Sequence, residues 1–173
     1  MTKTLSKKPV KSGLHQSRID LSAKSRSQLV DLLNGSLADT FDLYSQVKQA
    51  HWNVKGHQFY QLHLLFDEIA SELLEQVDEL AERATALAGT ALGTVRMAAA
   101  ASRLNEYPVD ILEGMDHVAA LAEAFAHYAQ IVRENIEKSD ELGDADTADL
   151  FTAISRNADK RLWFLEAHLQ AES

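Results

Sequence analysis

Residues 51–82 read HWNVKGHQFYQLHLLFDEIASELLEQVDELAE, and this stretch decides the fold. From Gln58 onward its apolar residues fall at Phe59, Leu62, Phe66, Ile69, Leu73, Val77 and Leu80, with Ala84 just beyond. Steps of three and four put them on one side of an α-helix running from about Gln58 to Leu87. A second stripe lies beside the first: His63, Asp67, Ala70, Leu74, Asp78 and Glu82. Upstream, Leu29, Leu33, Leu37, Thr40/Phe41, Tyr44 and Val47 mark another helix, from near Ser22–Ser27 to Val54, with His51 on the same inward face. Asn53, Lys55 and Gly56 form the turn between them, Gly56 being a natural helix stop. So short a turn makes the two helices an antiparallel hairpin.

The rest of the chain repeats the helical pattern. Gly89 and Gly93 interrupt residues 88–107, where TVRMAAAA (94–101) gives one or two helical turns inside a connection long enough to span a bundle. Pro108 suits the first turn of a third long helix. Its apolar positions are Ile111, Leu112, Met115, Val118, Ala119, Ala122, Phe125, Ala126 and Ile131/Val132, and it ends near Lys138. An acidic turn, SDELGDAD (139–146), leads into a last helix carrying Leu150, Phe151, Ile154, Ala158, Leu162, Leu165 and Leu169. The expectation is an all-α four-helix bundle with a long crossover that holds a short helix between helices two and three. Residues 1–21 are read as a flexible basic tail and 22–173 as a single domain.

Composition narrows the chemistry. With 46% hydrophobic residues among 173, a packed core is available, and only two prolines and seven glycines leave room for long helices. The absence of cysteine removes disulfides, thiolate metal sites and thiol nucleophiles. Neither a signal-peptide h-region nor a membrane-spanning apolar run is present in the sequence, so a cytoplasmic location is the default. The net charge of −9 hides an asymmetry. Residues 1–26 hold Lys3, Lys7, Lys8, Lys11, Arg18, Lys24 and Arg26 against Asp20, a net +6, which leaves −15 on the remainder. Lysines in such a tail fit phosphate contact with nucleic acid, by counterion release, as well as they fit a solubilising role.

His51, His63, Asp67, Asp78 and Glu82 are the candidate metal ligands. Histidine with carboxylate suits iron, manganese or zinc, whereas an all-oxygen calcium site would not use histidine. His63/Asp67 and Asp78/Glu82 are each spaced i,i+4 and so share a face. His51 and His63 are equidistant from His57, and a tight hairpin brings them side by side, letting His51, His63 and Asp67 converge in one chain. Asp67 and Asp78, 11 residues apart, are separated by about 16 Å along a helix axis. Metal–ligand distances are about 2 Å, so both cannot serve one ion within a chain. An antiparallel packing of this helix on its own copy, with a twofold axis near Glu72–Leu73, would set Asp67 opposite Asp78 of the second copy and complete two sites. The bland alternatives are a core histidine pair and solvated acids, the latter paired with a neighbour such as Arg83. The sequence has no Glu-x-x-His, the pattern of a di-iron site inside one bundle.

QAHWNVKGHQFYQLHLLFDEIASELLEQVDELAERATALAG (49–89) resembles the signature of the Dps family, the DNA-binding proteins from starved cells, or miniferritins. The H-W-N-x-x-G, H-x-x-x-D and D-x-x-x-E-R elements carry the likeness, which extends over nearly all of the chain. The resemblance implies a ferritin-like bundle assembled as a hollow dodecamer of twofold dimers. It implies a ferroxidase using His51, His63 and Asp67 of one subunit with Asp78 and Glu82 of the next, and iron as the only cofactor, with no organic group. Hydrogen peroxide or O2 would be the oxidant, peroxide preferred, with ferric mineral stored in the cavity and DNA protected from oxidative damage. Trp52 matches the tryptophan beside the site, as a packing wall or an electron donor. Asp140, Glu141, Asp144, Asp146 and Asp149 would line threefold pores, Asp146 and Asp149 first among them, although a helix cap explains Asp144 or Asp146 equally well. Lys3, Lys7, Lys8 and Lys11 resemble the DNA-binding tails, implying weak non-specific binding and nucleoid association. Two other readings remain: a DNA-compacting nucleoid protein in which iron oxidation is secondary, and an assembly that binds zinc or manganese without turnover.

Overall fold

The computed structural model describes residues 13–170. Five helices account for most of them: α1 (Ala23–Asn53), α2 (Phe59–Ala86), α3 (Val95–Ala101), α4 (Gly114–Glu141) and α5 (Ala145–Leu169). The described residues contain no strand, only an isolated parallel bridge between Lys55 and Glu113. The architecture is a four-helix bundle with α3 carried in the crossover between the second and third long helices, as the periodicity predicts. α1 lies along α2 and α4 along α5, and α1 on α4 joins the two hairpins.

The helix ends follow from local chemistry. The Ser22 hydroxyl accepts from the Ser25 amide at the start of α1, and Thr94 does the same for Met97 at α3. Gly56, at φ 101°, makes the turn between α1 and α2 in a conformation that L side chains resist. The core draws on every long helix: Leu29, Leu33, Leu37, Leu62, Phe66, Ile69, Phe125, Tyr128, Phe151 and Ile154 are all buried. Two buried groups span the bundle. Tyr128 and Thr40 share a 2.7 Å hydroxyl contact, and Asn135 donates to Ser36 at 2.8 Å.

Three expectations need correcting. The third long helix starts at Gly114, not at Pro108, and Ile111 and Leu112 lie outside it. Glu113, just ahead of Gly114, is extended and bridges Lys55, and a Cβ on Gly114 would sit 2.7 Å from the Leu62 side chain. The helix therefore begins where it meets α2, a long-range constraint that Pro108 does not report. Phe59, in the first turn of α2, is 44% exposed and lies outside the core. Ala119 and Ala126 face outward on α4.

Of the expected basic tail, Lys3, Lys7, Lys8 and Lys11 lie outside the described residues. Residues 13–21 have no helix or strand and touch the body. Leu14 and Leu21 pack against the core, the His15 amide donates to the Ala88 carbonyl at 2.8 Å, and Arg26 donates to the carbonyls of His15 and Leu87.

Candidate metal centre

The α1–α2 hairpin places His51 in the last turn of one helix and His63 in the second turn of the other. Their rings stack with centroids 3.7 Å apart and planes 20° from parallel. Each Nδ1 lies on the other residue's backbone oxygen: His51 Nδ1 to His63 O at 2.8 Å, and His63 Nδ1 to His51 O at 2.9 Å. A carbonyl oxygen can only accept, so both Nδ1 atoms carry the proton. Each Nε2 is left free of the backbone, the arrangement in which an imidazole offers one nitrogen to a metal while the protein fixes the other. Phe59 packs against the outer face of His63 at 5.1 Å, which gives this exposed aromatic its local role.

Asp67 stands one turn beyond His63, half-exposed, with its Oδ1 3.9 Å from His51 Nε2. Its nearest partner is a cation, because Lys48 Nζ donates to the same oxygen at 2.7 Å. The hydrogen bond from Lys48, then its charge, lowers the Asp67 pKa below the usual carboxylate value. Asp67 is therefore a carboxylate at neutral pH, but its charge is partly spent. Among the described residues of one chain, no three His, Asp or Glu side chains converge to hold a metal ion. The expected three-ligand half-site is thus a histidine pair with an acid nearby in the grip of Lys48.

Asp78 and Glu82 lie on the same stripe of α2, exposed, and their carboxylates have no hydrogen-bond or ion-pair partner among the described residues. Arg83, the neutralising neighbour that the bland reading requires, points elsewhere. Its guanidinium makes a two-oxygen bridge to Asp144 at 2.7 and 2.8 Å, and its Nε donates to the Thr147 hydroxyl. The exposed side of α2 also carries Tyr60, Leu64 and Leu74, and Trp52 at the end of α1 is 67% exposed with Lys48 Nζ 5.8 Å from its ring centroid. The Asp78/Glu82 pair therefore lies on a face that mixes uncovered apolar side chains with unneutralised charge.

Among the pore candidates, Asp144 is removed by its burial. It is 5% exposed, caps α5 through Thr147, and its charge is matched by Arg83. Burial raises its pKa, but the hydrogen bonds from Thr147 and Arg83 together outweigh that, and the pKa is lowered. Asp140, Asp146 and Asp149 are exposed at the same end of the bundle. Three polar arrangements escape sequence reading altogether. Arg161 is buried, and its guanidinium binds Glu68 at 2.7 Å and Glu72 through two nitrogens. Asp39 is buried and receives the Arg103 amide and guanidinium. His117 is buried against Tyr107. In each pair the partners are far apart in sequence or lie in irregular chain, so no periodic signal links them.

The fold has known relatives. A family model for the ferritin-like domain matches residues 30–173. The DNA protection during starvation protein of Agrobacterium fabrum is 45% identical over 159 residues, covering 92% of this chain and 98% of that one. DpsC from Streptomyces coelicolor superposes with a TM-score of 0.86 at 33% identity, covering 90% of this chain and 91% of its own. Mycobacterium smegmatis Dps gives a TM-score of 0.86 at 30% identity, covering 91% and 94%. The fold and hairpin therefore define a ferritin-like four-helix-bundle protein. Within that class, the chain belongs to the Dps family.

Proposed function

We propose that this chain is a ferroxidase and iron store whose centre is shared between two copies, with His51, His63 and Asp67 from one and Asp78 and Glu82 from the other. The observation that carries the reading is the histidine pair. Two stacked imidazoles, each with Nδ1–H committed to the other's backbone carbonyl, leave both Nε2 atoms free of the backbone. A Vibrio cholerae Dps that superposes at a TM-score of 0.84 and 28% identity is described as a ferritin-like diiron-carboxylate protein, in keeping with a carboxylate-rich iron site here.

Ferrous iron enters as substrate. Neutral imidazoles hold Fe2+ well, and the carboxylates of Asp67, Asp78 and Glu82 favour the ferric product by charge. Lys48 has to release Asp67 as iron arrives, exchanging one cation for another. With two ferrous ions and peroxide the balance is 2Fe2+ + H2O2 + 2H+ giving 2Fe3+ + 2H2O, a two-electron step that avoids releasing hydroxyl radical. The ferric product would be stored in the cavity of a dodecamer, with Asp140, Asp146 and Asp149 drawing Fe2+ inward by their field. The name of the Agrobacterium relative supports DNA protection as the outcome, and Lys3, Lys7, Lys8 and Lys11 supply a salt-sensitive, sequence-independent DNA contact. A gel shift that persists without residues 1–12 would remove that role from the tail.

The test of the centre is stopped-flow oxidation of anaerobically loaded Fe2+ by peroxide. The wild type should consume two ferrous ions per peroxide. The double variant His51→Ala, Asp78→Ala should fall to the rate of Fe2+ in buffer, and an unchanged rate would refute the assigned centre.

A further inference from the structure

One buried polar contact serves neither the proposed centre nor the packing of the hairpins. Tyr107, in the crossover, and His117, in the first turn of α4, place the phenol oxygen 2.6 Å from His117 Nδ1. Their rings are nearly parallel, 12° apart, with centroids at 6.1 Å. His117 is only 1% exposed, and its Nε2 has no partner in the protein. Burial pushes the Tyr107 phenol up and the His117 imidazole down. The resting pair is therefore neutral, with the phenol O–H donating to Nδ1 and the other ring nitrogen carrying the second proton.

The pair lies at the end of the bundle that carries the metal-binding hairpin. Glu113 bridges Lys55, and Gly114 abuts Leu62, the neighbour of His63. Tyr107 also borders a cleft of about 100 Å³ with Gln46, Asn105, Glu123 and His127.

We propose that Tyr107 and His117 form a proton-coupled redox pair that takes up one-electron oxidising equivalents when a centre holds a single ferrous ion. This rests on the ferroxidase reading. A lone Fe2+ cleaves peroxide to Fe3+, hydroxide and hydroxyl radical. Tyr107 gives the radical an electron, reducing it to hydroxide, and its phenol proton moves to His117 Nδ1 in the same event. A second Fe2+ then reduces the tyrosyl radical, and the proton returns from His117 to the phenol oxygen. The sum is two Fe2+ and one H2O2 giving two Fe3+ and two hydroxides, the same electron count as the two-iron step. The histidine is what makes the phenol oxidisable here, because an oxidised phenol sheds its proton and needs a base already in contact.

Two arms test the pair separately from the centre. In the first, the iron-free assembly is oxidised by radiolytically generated azide radical and followed by transient absorption and electron paramagnetic resonance. The wild type should settle as a neutral tyrosyl radical whose hyperfine pattern changes when ring-deuterated tyrosine is incorporated. Tyr107→Phe should lose that signal, and His117→Gln should slow its formation on the order of a hundredfold. In the second, protein loaded with less than one Fe2+ per centre is freeze-quenched with peroxide. The same radical should appear, and Tyr107→Phe should release several-fold more spin-trapped hydroxyl radical. Absence of a tyrosyl radical from the iron-free wild type, or an identical signal in Tyr107→Phe, overturns the proposal. Failure of the iron arm alone, with the iron-free radical intact, overturns the ferroxidase link and leaves the redox pair standing.

Discussion

The two halves of α2 carry equal numbers of candidate ligands in opposite states of preparation. In the first half, His63 is locked to His51 by two reciprocal hydrogen bonds and by stacking, and Asp67 is held by Lys48. In the second half, Asp78 and Glu82 stand on an open face with nothing to orient them. The difference teaches what a single chain can prepare. Imidazole orientation can be fixed by backbone within one hairpin. A carboxylate pair about 16 Å further along the helix is out of the histidines' reach within one chain, and in the proposed centre it meets them on a second copy. The supports behind the two halves differ as well. Arg161 braces Glu68 and Glu72 in the middle of α2, and the Arg83–Asp144 bridge ties its far end to α5.

The largest effect should come from breaking either half. His63→Ala alone, or Asp78→Ala with Glu82→Ala, should each bring peroxide-driven Fe2+ oxidation down to the rate of free iron, while circular dichroism shows the helices intact. A large loss from His63→Ala with none from Asp78→Ala, Glu82→Ala would place the chemistry within one chain and refute the symmetry between halves.

The supports come next, and they act on folding. Arg161→Ala strands a half-buried Glu72 and empties a fully buried site, so urea denaturation should show a loss of about 3–5 kcal/mol. Asp144→Asn keeps the helix cap but breaks the bridge to Arg83, for a loss of about 2–3 kcal/mol. Its pH dependence has a fixed sign. The folded-state pKa of Asp144 lies below its ordinary value of 3.8, so the bridge contributes fully above about pH 4 and is lost as pH falls through the lowered value. Acid titration of stability should therefore separate wild type from Asp144→Asn above pH 4 and bring the two curves together below it.

The smallest effect sharpens the far end of α2. Ala88 has φ 64°, a left-handed conformation, just past the helix, and the Gly89 amide closes the cap onto the Ala84 carbonyl. Ala88→Gly should raise stability by about 0.5–1 kcal/mol, read as a higher urea midpoint, without changing iron oxidation.

What the sequence made legible follows from how local the controlling interactions are. α1, α2 and α3 stand where periodicity and the Gly56 turn put them, because each is governed by contacts a few residues apart. The 11-residue gap between Asp67 and Asp78 was legible for the same reason, since helix rise alone fixes it. The start of α4 was not, because Gly114 is set by Leu62 and Lys55 rather than by its own neighbours. Asp144 could be read as a cap or as a pore acid until Arg83, 61 residues away, was seen to claim it. Lys48 on Asp67 was invisible for a related reason, since which face a lysine serves depends on the partner helix. Tyr107 and His117 are only ten residues apart, but irregular chain lies between them and no period links them.

The central claim is that each centre is built from two chains, and complementation between two inactive variants tests it most directly. One variant carries His51→Ala, His63→Ala and Asp67→Ala; the other carries Asp78→Ala and Glu82→Ala. Dissociated, mixed in equal amounts and reassembled, half of the random dimers are mixed. In each mixed dimer one of the two centres has all five ligands, so about a quarter of wild-type peroxide-dependent Fe2+ oxidation should return. If the reassembled mixture is as inactive as either variant alone, the ligands act within one chain and the shared centre is wrong.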